Sequence, residues 1–98
     1  MEKIAEIGDF KGDKLCVQFR GKSYALFKVG KRFYCIDGKC THVGGPLCQG
    51  FVDGKIVTCP WHGSKFDVTT GKVVGAPAKK DEKSYKVTVK GDDILIDL

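Results

Sequence analysis

Two short motifs constrain this chain more than anything else in it: Cys40-Thr41-His42 and Cys59-Pro60-Trp61-His62. Each supplies one thiolate and one imidazole within a few residues. Any fold that uses both must bring two loops together across the sixteen residues from Val43 to Thr58. Two sulfur and two nitrogen donors of this softness make a metal site. The pairing is unusual for structural zinc, which takes a Cys-Cys pair followed by a His-His pair. Here each loop gives one of each.

The segments around the motifs read as short strands, with no helix pattern. Residues 14–20 alternate, placing Leu15, Val17 and Phe19 on one face. Tyr24 to Val29 and Phe33 to Ile36 read as two more strands around Gly30-Lys31, and Phe66–Val68 and Lys72–Val74 as another turn-linked pair. Tyr85, Val87 and Val89 alternate with lysines and a threonine, and Gly91-Asp92-Asp93 turns the chain into Ile94–Ile96. Asp53-Gly54, between Phe51-Val52 and Lys55–Thr58, is a hairpin signal. That hairpin folds the chain back and sets the two motif loops side by side. Short strands with glycine turns predict an all-β class, a small antiparallel sandwich or barrel, with loops at about 37–50 and 59–67 forming a cluster-binding subdomain.

At 98 residues the chain is expected to be one domain. Its apolar runs are far too short for a membrane span, and residues 1–6 show no apolar secretory core. A cytoplasmic monomer is the expectation. The net charge is +5, but the lysines are scattered among acids, as in Lys79-Lys80-Asp81-Glu82-Lys83. Without a basic run or paired stacking aromatics, nucleic-acid binding is excluded as a reading. A Lys-rich face turned to an acidic protein partner suits the pattern better.

The mixed donor set matches a [2Fe–2S] centre in which His₂ replaces Cys₂ on one iron. Two ferric ions, two sulfides and two thiolates sum to zero charge, whereas an all-Cys cluster starts at −2. Adding an electron is therefore easier, which raises the potential from about −400 mV to between about −150 and +300 mV. All iron positions are filled by protein and sulfide, so the chemistry is one-electron transfer and no bond-making enzyme is expected.

The stretch from Cys40 to Pro46, and that from Cys59 to Asp67, resemble the Rieske family, most of all its small soluble ferredoxins serving oxygenases. The resemblance extends over almost the whole chain. It implies that Cys40 and Cys59 bind the inner iron of one Rieske [2Fe–2S] cluster, and that His42 and His62 bind the outer iron near the surface. It also implies a ferredoxin reductase as donor and a terminal oxygenase as acceptor. Rieske proteins of cytochrome bc-type complexes carry two further cysteines, joined by a disulfide, where this chain has Gly45 and Trp61. They also place a Ser and a Tyr after the second His, where this chain keeps Ser64 but has Phe66. Fewer hydrogen bonds to cluster sulfur imply a potential near the low end of the range. Alternative readings are a redox sensor or assembly protein using the same cluster, and a structural zinc module.

The supporting residues follow from this frame. Gly44, Gly45, Pro46 and Gly63 let the loops curl and turn N–H groups towards sulfur. Trp61 covers the cluster or, with Val43 and Pro46, presents an apolar tip to a partner, guided by Lys39 and Lys65. Asp67 is structural. The remaining thiols, Cys16, Cys35 and Cys48, show no paired spacing and read as packing residues rather than a disulfide framework. Cys48, just beyond the first loop, reads as packing in preference to a role as alternative ligand or redox partner.

Overall fold

The structure, a computed structural model, describes residues 1–41 and 44–98. Among these, the strands are β1 (Glu2–Glu6), β2 (Lys14–Phe19), β3 (Lys22–Val29), β4 (Arg32–Asp37), β5 (Phe51–Asp53), β6 (Ile56–Thr58), β7 (Lys65–Asp67), β8 (Val73–Gly75), β9 (Ser84–Tyr85), β10 (Val87–Lys90) and β11 (Asp93–Ile96). Single 3₁₀ turns lie at Ile7–Asp9 and Leu47–Gln49. All pairings between strands are antiparallel, in three sheets ordered β1-β11-β10, β2-β3-β4-β9 and β5-β6-β7-β8. The all-β expectation holds.

The apolar run Tyr24-Ala25-Leu26-Phe27 shows why the sheets stack as they do. Successive side chains on a strand point to opposite faces, so a strand apolar at every position needs cover on both. Tyr24 and Leu26 join Ile94, Ile96, Ala5 and Tyr85 in one core, beneath the terminal sheet. Ala25 and Phe27 join Ile36, Val57, Phe66 and Val68 in a second core, beneath the small sheet. The middle sheet is thus buried on both faces at its centre. The predicted Leu15, Val17 and Phe19 face packs against the first of these cores, which leaves Cys16 on the other side of β2.

Three details depart from expectation. Glu2–Glu6 is a strand that pairs with β11, although its only apolar residues are Ile4 and Ala5. The hairpin loop is Gly54-Lys55, one residue later than Asp53-Gly54, because Asp53 pairs with Ile56. The run around Tyr85, Val87 and Val89 is two strands: Tyr85 pairs with β4 and Val87 with β11, so the chain changes sheets at Lys86. No helix among the described residues is long and apolar enough to cross a membrane.

Candidate metal centre

The small sheet and the middle sheet each deliver one loop to the same end of the molecule. The first leaves β4 at Asp37 and is closed at its neck by a bridge between Lys39 and Pro46. Within it the Cys40 N–H donates to the Gly45 carbonyl at 2.8 Å, and the Gly44 N–H returns to the Cys40 carbonyl at 2.8 Å. The second loop joins β6 to β7 and repeats this pattern. There the Cys59 N–H donates to the Ser64 carbonyl at 2.7 Å, and the Gly63 N–H to the Cys59 carbonyl at 3.2 Å. Gly44 and Gly63 occupy the same place in the two loops, both at φ 79°, a conformation that suits glycine. Cys40 and Cys59 therefore each open the same tight turn, built twice.

Cys40 and Cys59 are buried, at 4% and 2% exposure, in the core shared by the two sheets. Their thiols face each other. Burial pushes the Cys59 thiol up; the N–H groups of Trp61 and His62, aimed at its sulfur, pull it down, and the Cys40 thiol beside it pushes it up again. Two buried sulfurs with backbone donors already pointed at one of them fit a metal-bound thiolate, which needs both a cation and N–H groups to hold its charge. Gly45 brings the loops together: a Cβ there would lie 2.7 Å from Cys59 Sγ and 3.1 Å from the Trp61 ring. Trp61 thus packs over the first loop while remaining 57% exposed. His62 is exposed on the second loop. His42 and Val43 lie outside the described residues.

Ser64 is fully buried and accepts the Ala78 N–H at 3.0 Å, so the segment around residues 76–78 closes over the second loop. Phe66 faces the core opposite Val57. Pro46 is half-buried at the neck, and Lys39 and Lys65 are exposed, with Lys65 Nζ donating to Thr58 Oγ1 at 2.8 Å. Asp67 is structural as expected: it accepts the N–H and hydroxyl of Thr69 and pairs with Lys55 at 3.4 Å.

Sequence reasoning missed Glu82, which sits in a charge run that reads as solvated surface. The structure buries it at 4% exposure, with Oε2 accepting the Thr41 N–H at 2.8 Å, midway between Cys40 and His42 in the chain. Burial pushes this carboxyl up to about 7; the Thr41 N–H pulls it down and the Asp37 charge pushes it up. Nearby, the Tyr85 hydroxyl donates to Asp37 at 2.6 Å and accepts from Lys22 at 2.8 Å, bracing the strand that enters the first loop. No pattern in the sequence marked either group.

The remaining cysteines need one correction. Cys35 is a packing residue, 1% exposed, its thiol pushed up to about 12 by burial and by Asp37. Cys16 and Cys48 are not simply packed: they form a disulfide across a Cα separation of 5.2 Å. Their spacing of 32 residues hides this, because the contact depends on how the first loop returns beneath β2.

Comparison with known proteins agrees with this geometry. Residues 1–88 match the model of the Rieske [2Fe-2S] domain. The chain belongs to the Rieske [2Fe–2S] family. It is 39% identical, over 90% of its length and 85% of the relative's, to the ferredoxin component of the naphthalene 1,2-dioxygenase system of Pseudomonas aeruginosa. The Sphingomonas yanoikuyae B1 ferredoxin superposes with a TM-score of 0.89 at 30% identity, covering 98% of this chain and 96% of that one. A chain of the complex of reduced oxygenase and oxidized ferredoxin in carbazole 1,9a-dioxygenase gives a TM-score of 0.88 at 30% identity, covering 97% of this chain and 99% of that one. The protein is a Rieske-type ferredoxin: it carries one [2Fe–2S] cluster and serves as an electron carrier.

Proposed function

We propose that Cys40 and Cys59 hold one iron of the cluster and His42 and His62 the other, and that the chain carries single electrons from a ferredoxin reductase to a terminal oxygenase. The observation that carries the ligand assignment is the pair of buried, facing thiols, one in each of two matching turns, with the Trp61 and His62 N–H groups aimed at Cys59 sulfur. The partners are inferred from relatives that are themselves ferredoxin components of dioxygenase systems. When bound, the cluster supplies a one-electron couple. The protein's residues do the rest. The two cysteines fix the sulfur ligands in a dry core, Gly44, Gly45, Pro46 and Gly63 shape the turns, Ser64 ties the second loop to Ala78, and exposed Trp61 and His62 face an incoming partner. The carrier makes and breaks no substrate bond and is not itself an enzyme. We read residues 1–98 as one cluster-binding unit, acting in the cytoplasm beside its reductase and oxygenase.

A potentiometric titration followed by visible absorption, with iron and sulfide analysis, tests this reading. A reversible one-electron step near about −150 mV is expected, because Phe66 offers no hydroxyl to cluster sulfur. A colourless protein holding zinc would overturn the assignment, and a potential well above zero would overturn the argument from Phe66.

A further inference from the structure

The disulfide lies at the exit of the first cluster loop. Cys48 is in the 3₁₀ turn Leu47–Gln49, just beyond the neck at Pro46. Cys16 is on β2, the edge strand of the middle sheet, and points away from the Leu15 and Val17 face. On the same side of β2, Lys14 Nζ donates to the Gly50 carbonyl at 2.5 Å. Two residues of one strand thus grip the segment that closes the loop, one by a covalent bond and one by a hydrogen bond. The sulfur pair is also reachable. Cys16 is exposed while Cys48 is 8% exposed, and both line a cleft of about 200 Å³ that they share with Gly44 and Pro46 of the loop.

We infer that Cys16–Cys48 is a thiol–disulfide exchange site whose oxidation state governs how firmly the first loop keeps its cluster, an inference that rests on the ligand assignment above. The reductant is a dithiol. One of its thiolates attacks the exposed Cys16 Sγ; the S–S bond breaks and its electron pair leaves on Cys48 Sγ, which takes up a proton. The second thiolate then attacks the reductant's sulfur in the mixed disulfide. It closes the reductant's own disulfide and releases Cys16 as a thiolate, which solvent protonates. Two electrons and two protons pass to the protein. The loop then loses the covalent half of its grip and keeps the Lys14 bond, so it loosens while the sheets stay folded. Reopening a loop of this length removes a constraint on the unfolded chain.

The experiment uses the loaded protein. Alkylation under denaturing conditions is expected to label three of the five cysteines before reduction and all five after; five labelled without reductant would overturn the proposal. Native protein treated with dithiothreitol, then reoxidised at its cluster with the thiols alkylated, is expected to bleach in the presence of a chelator roughly tenfold faster than untreated protein. Its Tm is expected to fall by roughly 10–20 °C. Cys16→Ser should bleach at the fast rate without treatment and show no further response to the dithiol. Equal bleaching of treated and untreated wild type, or an undiminished response in Cys16→Ser, would overturn it. A protein that never carries a cluster would defeat the ligand assignment instead, leaving the labelling and Tm results to report on the disulfide alone.

Discussion

Gly45 and Glu82 show how unevenly single residues reveal their work. Cys40 and Cys59 stand out in the sequence because the proposed metal site needs their chemistry at that spacing, and Gly45 stands out beside them as a loop glycine. What the sequence does not show is that Gly45 must lack a side chain because Cys59 Sγ and the Trp61 ring occupy the place. Gly45→Ala is therefore expected to push the loops apart. Iron per chain in the purified variant should fall to less than half of wild type, and full occupancy would remove the close approach from the account. Glu82 carries no such signal, since its charged neighbours are exposed and the chain's turn inward at one residue follows from the Thr41 N–H it meets. Its carboxyl rises from the ordinary 4.5 to about 7, chiefly through burial. Between those values the folded protein binds a proton that the unfolded chain has lost, so stability falls as pH rises from about 4.5 to about 7 and is level above that. Glu82→Gln keeps an acceptor for Thr41 without the charge. Its Tm should exceed wild type's at pH 8, by the equivalent of about 1–3 kcal/mol, with the gap closing towards pH 4.5. A gap independent of pH would contradict the buried carboxyl.

At the scale of elements, alternation was a sound guide wherever a strand has one wet face, as in β2, and wherever continuous apolar residues marked a strand covered on both sides, as in β3. It failed where the tertiary fold decides. β1 has too few apolar residues to stand out, and is a strand because β11 offers it an edge. The change of sheet at Lys86 leaves the alternation of Tyr85 and Val87 intact, so periodicity cannot detect it. The turn after β7 is a local case that the sequence does show. Asp67 accepts the Thr69 N–H and hydroxyl at 2.8 and 2.6 Å, while its backbone receives the Gly71 N–H at 2.7 Å. Burial pushes its carboxyl up, but Thr69 and Lys55 outweigh that and hold it below the ordinary 3.8. The stability it contributes is present above that value and lost as pH falls through the depressed one. Asp67→Asn is expected to cost about 1–3 kcal/mol at pH 7 and to flatten the fall in Tm below about pH 4. Acid unfolding that matches wild type's would show that other carboxylates set it.

The whole molecule combines a net charge of +5 with a proposed cluster end that is apolar at Trp61 and positive at Lys39 and Lys65. A small carrier that must meet two partners in turn gains more from rapid encounter than from tight binding, and long-range charge acts on encounter. Both lysines stand in solvent, and among the described residues Lys65 is partly held, through Thr58. Their contribution is therefore open to screening, since the Debye length shortens from about 30 Å at 0.01 M salt to about 10 Å at 0.1 M. With an acidic acceptor, the second-order rate of electron transfer should fall several-fold over that range. Reversing both charges, Lys39→Glu with Lys65→Glu, should lower the low-salt rate by about tenfold and leave the reduction potential and visible spectrum in place. The two rate curves should converge at high salt, where steering is gone and the Trp61 contact remains. Parallel curves would mean that these lysines act through the folded loops rather than through the field, and curves that coincide throughout would remove them from the encounter altogether.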